Sequence, residues 1–118
     1  MTAWQSSWWG ITMGNEKKIL SLLGLARRAG KLQSGEFSVE NAVRDGSAQL
    51  VIVALDASKN TEKLFLDKCS YYHVPVRRFG TKDMLGAALG KQLRASIAVN
   101  DKGFATSLQK LLDEQEVE

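Results

Sequence analysis

One cysteine, Cys69, and one histidine, His73, are all the chain has of either residue in 118 positions. A single thiol excludes an internal disulfide framework and a thiol-rich zinc site, and it fits a reducing, cytoplasmic setting. Spaced four apart, Cys69 and His73 would share a helical face, but two ligands do not make a metal centre, and a buried thiol is the simpler expectation for a cysteine on an apolar stripe. No serine is paired with a recognisable base, so neither a catalytic constellation nor a cofactor or metal is expected. No apolar run approaches the roughly 20 residues that span a bilayer, and the N-terminus lacks the basic region of a signal peptide. The expectation is a soluble domain. A 44% hydrophobic content with periodic patterning is enough for a packed core.

Charge is absent from residues 1–14, MTAWQSSWWGITMG, which hold all three tryptophans and show no clean period. They read as a non-native or disordered leader, with Met13 a candidate true start. At the other end, Asp113, Glu114, Glu116 and Glu118 hold four of the thirteen acids, so 114–118 reads as an acidic tail after a domain spanning 15–113. Residues 15–112 carry sixteen Lys and Arg against nine acids, a net of +7. That excess favours a polyanionic partner, nucleic acid being the commonest, although a merely soluble basic surface has the same composition.

The chain is organised around residues 32–54, LQSGEFSVENAVRDGSAQLVIVA. A short apolar lead-in precedes Gly35, whose backbone freedom suits a sharp entry and leaves room for close approach by another molecule. Val39, Ala42 and Val43 then recur at helical spacing, Gly46 closes the helix, and the continuous apolar run 50–54 predicts a strand covered on both faces. Upstream, residues 16–29 read as a helix with Asn15 as N-cap, Gly30 as stop and an apolar face of Ile19, Leu20, Leu22, Leu23, Leu25 and Ala26. Downstream, a helix capped by Ser58 runs to about residue 72, burying Leu64, Phe65, Cys69 and Tyr72. A short strand at 74–79, a helix at 82–89, a strand at 95–99 and a closing helix at 103–112 complete the pattern, the last burying Phe104, Leu108, Leu111 and Leu112. Four strands alternating with five helices predict an α/β fold: a three-layer α-β-α sandwich around a four-stranded mixed sheet.

Two chemical readings fall away on inspection. Asp56 follows a buried strand directly, as a phosphoacceptor aspartate does, but the acidic pair that would hold a divalent metal is replaced by Leu32, Gln33 and Ser34, so Asp56 reads as a turn or capping residue. Gly86, Gly90 and Lys91 imitate a phosphate loop with the spacing one residue short and Gln92 in place of its Ser or Thr. A binding surface remains. The Gly35 helix start, the loop after the 50–54 strand and the segment 90–94 are placed by topology at one edge of the sandwich. There backbone amides can meet phosphates, basic residues can flank them and Leu93 can rest against an exposed base. Arg27, Arg28 and Lys31 satisfy a helix C-terminus or contact phosphate equally well, and with Arg44 they are the main phosphate-contact candidates.

The segments LGLARRAGKLQSGE, AQLVIVALDAS, CSYYHVPV, DMLGAALGK and ASIAVNDKGFA, in this order and spacing over residues 16–112, resemble the kink-turn-binding ribosomal-protein superfamily (ribosomal protein L-seven-Ae, L-thirty-e and their Gadd45 relatives), and within it the small bacterial YlxQ-like branch. The resemblance implies a non-catalytic, ribosome-associated protein that binds kinked RNA stems, monomeric when free. It carries RNA contacts onto Gly35 and Glu36 at the helix start. Phe37 and Ser38 stand where the family usually has Asn and Glu, and Asn41 where it commonly has Lys. Asp56 with Ala57, and Leu93 with Arg94, match the two remaining loops, and Lys91 of the 90–94 segment is a further RNA-contact candidate from its place in that segment. A rival from another class is a protein-interaction module of the same fold with no RNA affinity, which the departures at Phe37 and Ser38 favour.

Overall fold

The computed structural model describes the backbone of residues 2–117 and the side chains of residues 15–114. In chain order the elements are α1 (Thr2–Arg28), β1 (Leu32–Ser34), α2 (Glu36–Arg44), β2 (Leu50–Val53), α3 (Lys59–Tyr72), β3 (Val76–Arg78), α4 (Lys82–Ala88), β4 (Ser96–Val99) and α5 (Lys102–Val117). The strands form one mixed sheet in the order β1-β4-β2-β3, with β4 antiparallel to both β1 and β2, and β2 parallel to β3.

Both faces of the sheet are covered, and the period of two along the strands decides which side chain enters which layer. On one face Leu50, Ile52, Ala54, Ile97 and Val99 pack with Ile19 and Leu23 of α1, Leu85 of α4 and Leu108 and Leu112 of α5. On the other, Val51, Val53 and Ala98 pack with Val39, Ala42 and Val43 of α2 and Phe65 and Cys69 of α3. Every residue of β2 and β4 is buried, as strands between two helical layers require. The expected three-layer α-β-α sandwich is therefore the fold.

Several boundaries differ from expectation. Helix α1 begins at Thr2, so Asn15 lies inside it and is no N-cap; with no proline in residues 2–14, nothing removes a ladder hydrogen bond there. The side chains of the leader, residues 1–14, lie outside the described residues, as do those of 115–118. Leu25 is not on the buried face: it is 52% exposed and lines an open cleft between α1 and α5 with Leu22 and Leu111. Helix α5 starts at Lys102, where the Asp101 carboxylate accepts from the Phe104 N–H at 2.9 Å, and it continues through the first residues of the acidic tail to Val117. His73 shares no face with Cys69. It occupies the left-handed position after α3, at φ 60°, with its N–H bonded to the Cys69 carbonyl, while the thiol is buried and free.

Among the described residues no helix is long and apolar enough to cross a membrane, and no three His, Cys, Asp or Glu side chains gather where a metal could be held.

Candidate functional site

Because β4 runs against β2 while β3 runs with it, the ends of β1, β2 and β3 and the beginning of β4 meet at one end of the sheet. Backbone hydrogen bonds join the loops there: Gly35 N–H donates to the Ser96 carbonyl (3.2 Å), Ala54 N–H to Ala95 (2.9 Å) and Leu55 N–H to Gly80 (2.7 Å). The Gly35 helix start, the loop after β2 and the 90–94 segment are thus neighbours.

Gly35 makes the entry into α2 possible. Its φ of 94° and ψ of 148° lie in a region that side chains rarely adopt, and a Cβ placed there would meet nothing within 4 Å. A side chain at this position would therefore project into open space in front of the helix. Glycine also leaves α2 without a side-chain cap. The helices that begin elsewhere among the described side chains are all capped. Ser58 accepts from Thr61 N–H at the start of α3, Thr81 from Met84 N–H at the start of α4, and Asp101 serves α5. The first N–H groups of α2, on Glu36, Phe37 and Ser38, face outward with the positive end of the helix dipole, a ready-made place for an anion.

Asp56 is a capping residue, but for a helix distant in sequence: its carboxylate accepts from the Lys82 N–H of α4 at 2.9 Å. That bond anchors the loop after β2 and leaves Ala57 half-buried against both cores. Arg94 is pinned at the same end, its Nε donating to Ser34 Oγ (3.1 Å) and one terminal nitrogen to the Leu93 carbonyl (2.8 Å). Among the described residues it has no carboxylate partner, so its charge faces outward beside the start of α2. Arg78, by contrast, is neutralised by Glu62 at 2.6 Å and braces the carbonyls of Ala54 and Leu55. The Glu36 carboxylate accepts a long bond from the Thr61 hydroxyl, 3.5 Å, which links the starts of α2 and α3.

The end is apolar as well as cationic. Phe37, in the first turn of α2, is 78% exposed, Leu55 in the loop after β2 60% and Leu93 in the 90–94 segment 53%.

The structure therefore brings Gly35, Glu36, Phe37, Ser38, Asp56, Ala57, Leu93 and Arg94 together. It does not gather the remaining candidates with them. Asn41 and Arg44 lie along α2, where Arg44 bonds the Asn41 side chain and pairs with Glu40, and the nine residues of α2 put its end about 13 Å from its start. Arg28 and Lys31 sit where α1 hands over to β1, about 13 Å along the strand from Gly35. Arg27 and Lys91 form a flank between the two ends, the Arg27 guanidinium lying against Gly90. Arg27, Arg28, Lys31 and Lys91 have no carboxylate partner among the described residues.

Two residues of the site were not anticipated. Leu55 ends an apolar run, and its position two residues past the end of β2 was the available signal. Ser34 holds Arg94 across 60 residues of sequence, for which no local signal exists. The glycines of the false phosphate loop have a packing role: a Cβ on Gly86 would stand 1.8 Å from the Gln92 carbonyl oxygen, so only glycine lets the 90–94 segment fold back over α4.

An α-β-α sandwich with one open loop end, combining an uncapped helix start, a positioned arginine and exposed apolar side chains, has the makings of a binding surface and not of a catalytic centre. The profile of the Ribosomal protein L7Ae/L30e/S12e/Gadd45 family matches residues 17–109, and the chain belongs to that family. Its relatives include the RNA-binding protein YlxQ of Bacillus subtilis (strain 168), 48% identical over 92 residues, which are 78% of this chain and 92% of that protein. The RNA-binding protein YlxQ of Enterococcus faecium is 40% identical over 100 residues, covering 85% and 96% respectively. Among solved structures, a protein of unknown function from Bacillus halodurans C superposes with a TM-score of 0.79 at 49% identity, over 81% of this chain and 97% of that one. The Giardia lamblia 15.5kD RNA binding protein shares the fold with a TM-score of 0.72 at 20% identity, over 88% and 89%.

Proposed function

We propose that the chain is a non-catalytic RNA-binding protein that docks structured, kink-turn-like RNA on the open end of its sandwich, as a monomer in the cytoplasm and in association with the ribosome. The observation that carries this reading is the uncapped start of α2 with the unpaired Arg94 pinned beside it through Ser34. Backbone N–H groups and a guanidinium converge there on a space open to solvent, which suits a phosphate backbone that turns sharply. Family membership and the two curated relatives, each named an RNA-binding protein, support the same reading. The unpaired flank of Arg27 and Lys91 extends the positive surface away from the loops, where a longer RNA stem would lie.

The test is equilibrium binding to a panel of kinked and unkinked RNA stems across salt concentrations. Tighter binding of the kinked stems, with a log–log salt slope that shrinks by about one unit in Arg94→Gln, supports the proposal. Absence of RNA affinity at low salt would turn the same surface over to the protein-interaction reading.

A further inference from the structure

Phe37 is the largest exposed apolar side chain at the open end, and nothing in the fold needs it there: it lies in the first turn of α2 and packs in neither core. Isolated apolar residues on a surface call for no explanation, but Phe37, Leu55 and Leu93 come from the start of α2 and two loops, which backbone hydrogen bonds hold together. The cations around them are left without carboxylate partners, while the two acids of these loops each accept a hydrogen bond from the protein itself. Arg94 on one side and Lys59 at the start of α3 have no carboxylate partner among the described residues. Glu36 accepts from the Thr61 hydroxyl and Asp56 from the Lys82 N–H. An occupant must therefore offer a flat apolar face between negative charges, and an unpaired nucleobase flanked by its own phosphates has that chemistry.

We infer that Phe37 sets what the RNA site selects: its ring stacks on one unpaired nucleobase, Leu55 and Leu93 close the apolar contact, and Arg94 holds a neighbouring phosphate. The inference rests on the RNA-binding reading and adds to it the class of nucleotide taken. A phenyl ring has no donor or acceptor with which to read a base edge, whereas every base has a face to stack. Selection is then for an unpaired nucleotide over a paired one, with little preference among the four bases.

The full chain is titrated with RNA hairpins that carry one unpaired nucleotide, varied through all four bases, and with the fully paired hairpin. The fluorescent base 2-aminopurine at the unpaired position reports stacking directly. Expected are preference for the unpaired hairpins, affinities within about threefold among the four bases, and quenching on binding. Phe37→Ala should lose about tenfold or more in affinity together with the quenching, while Phe37→Trp keeps both. Because Phe37 is exposed, both variants should unfold at the temperature of the parent chain. Affinity of Phe37→Ala within twofold of the parent, or a preference above tenfold for one base, overturns the stacking role. In that event continued loss of affinity in Arg94→Gln leaves the RNA-binding reading standing. A parent chain that binds no hairpin overturns both.

Discussion

Where β4 finishes, the loops are short and self-satisfied. Asn100 N–H donates to the Lys31 carbonyl, Gln49 N–H to Val99, Ala48 N–H to Ala42 and Val51 N–H to Pro75. Asp45 caps Ser47, and Arg44 is paired with Glu40. Where β4 begins, the loops are tied to one another just as firmly, by the Gly35, Ala54 and Leu55 backbone bonds and by Asp56 on α4 and Arg94 on Ser34. What differs is what is left over. The far end leaves exposed cations beside finished turns; the open end leaves helix N–H groups, a positioned guanidinium and three large apolar side chains. Rigid loops carrying unmet groups are how a scaffold presents a site without the entropic cost of ordering it on binding.

That contrast can be broken most forcefully by comparing leucines. Leu85 of α4 is fully buried against the sheet, and Leu85→Ala should cost about 2–5 kcal/mol in denaturant unfolding. Leu93→Ala, only eight residues on, should leave stability within about 0.5 kcal/mol while weakening RNA binding. Equal stability losses would show Leu93 to be a packing residue and not part of the surface.

The two glycines come next. Gly86→Ala forces its Cβ into the Gln92 carbonyl and should cost about 3 kcal/mol, displacing Leu93 and Arg94 so that binding falls with stability. Gly35→Ala meets no neighbour and carries only backbone strain, about 1–2 kcal/mol, but it places a methyl group in front of the α2 amides, so binding should fall by more than stability does. Thermal melts and titrations of the same samples separate the two.

Smaller still is the difference between arginines. Arg94→Gln at the open end should reduce the salt slope of RNA binding by about one unit, whereas Arg44→Gln, whose charge is already met by Glu40, should change it little. A matching reduction in Arg44→Gln would extend the interface down α2.

The smallest effect belongs to the far end of α3, where the Cys69 carbonyl receives the His73 N–H and burial pushes the thiol pKa up to about 11. The folded chain holds this proton more tightly than the unfolded one. The contribution to stability is therefore complete below about pH 9 and is lost as pH rises towards 11. The alkaline fall in unfolding free energy should be shallower in Cys69→Ala than in the parent chain.

Local chemistry alone determined the sandwich. The unbroken apolar run of β2, the largely apolar β4, the 3.6-residue stripes of α2, α3 and α5, and stops such as Gly30 and Gly46 are all set by residues within one element, where period and backbone freedom act directly. Gly35 at the head of α2 was legible for the same reason. The helix boundaries of α1 and α5 were less so, because a capping residue such as Asn15 stops nothing when the ladder can continue past it. Only the tertiary structure decided which polar groups were used up and which were left free. Asp56 caps a helix 26 residues away, Ser34 holds an arginine 60 residues away, and Glu62 neutralises Arg78 while no acid reaches Arg94. It also separated Arg44 and Lys31 from Gly35 and turned Phe37, Leu55 and Leu93 outward together. Such pairings depend on strand order and crossover, which bring remote segments to one end of a sheet, and no periodicity within a segment encodes them.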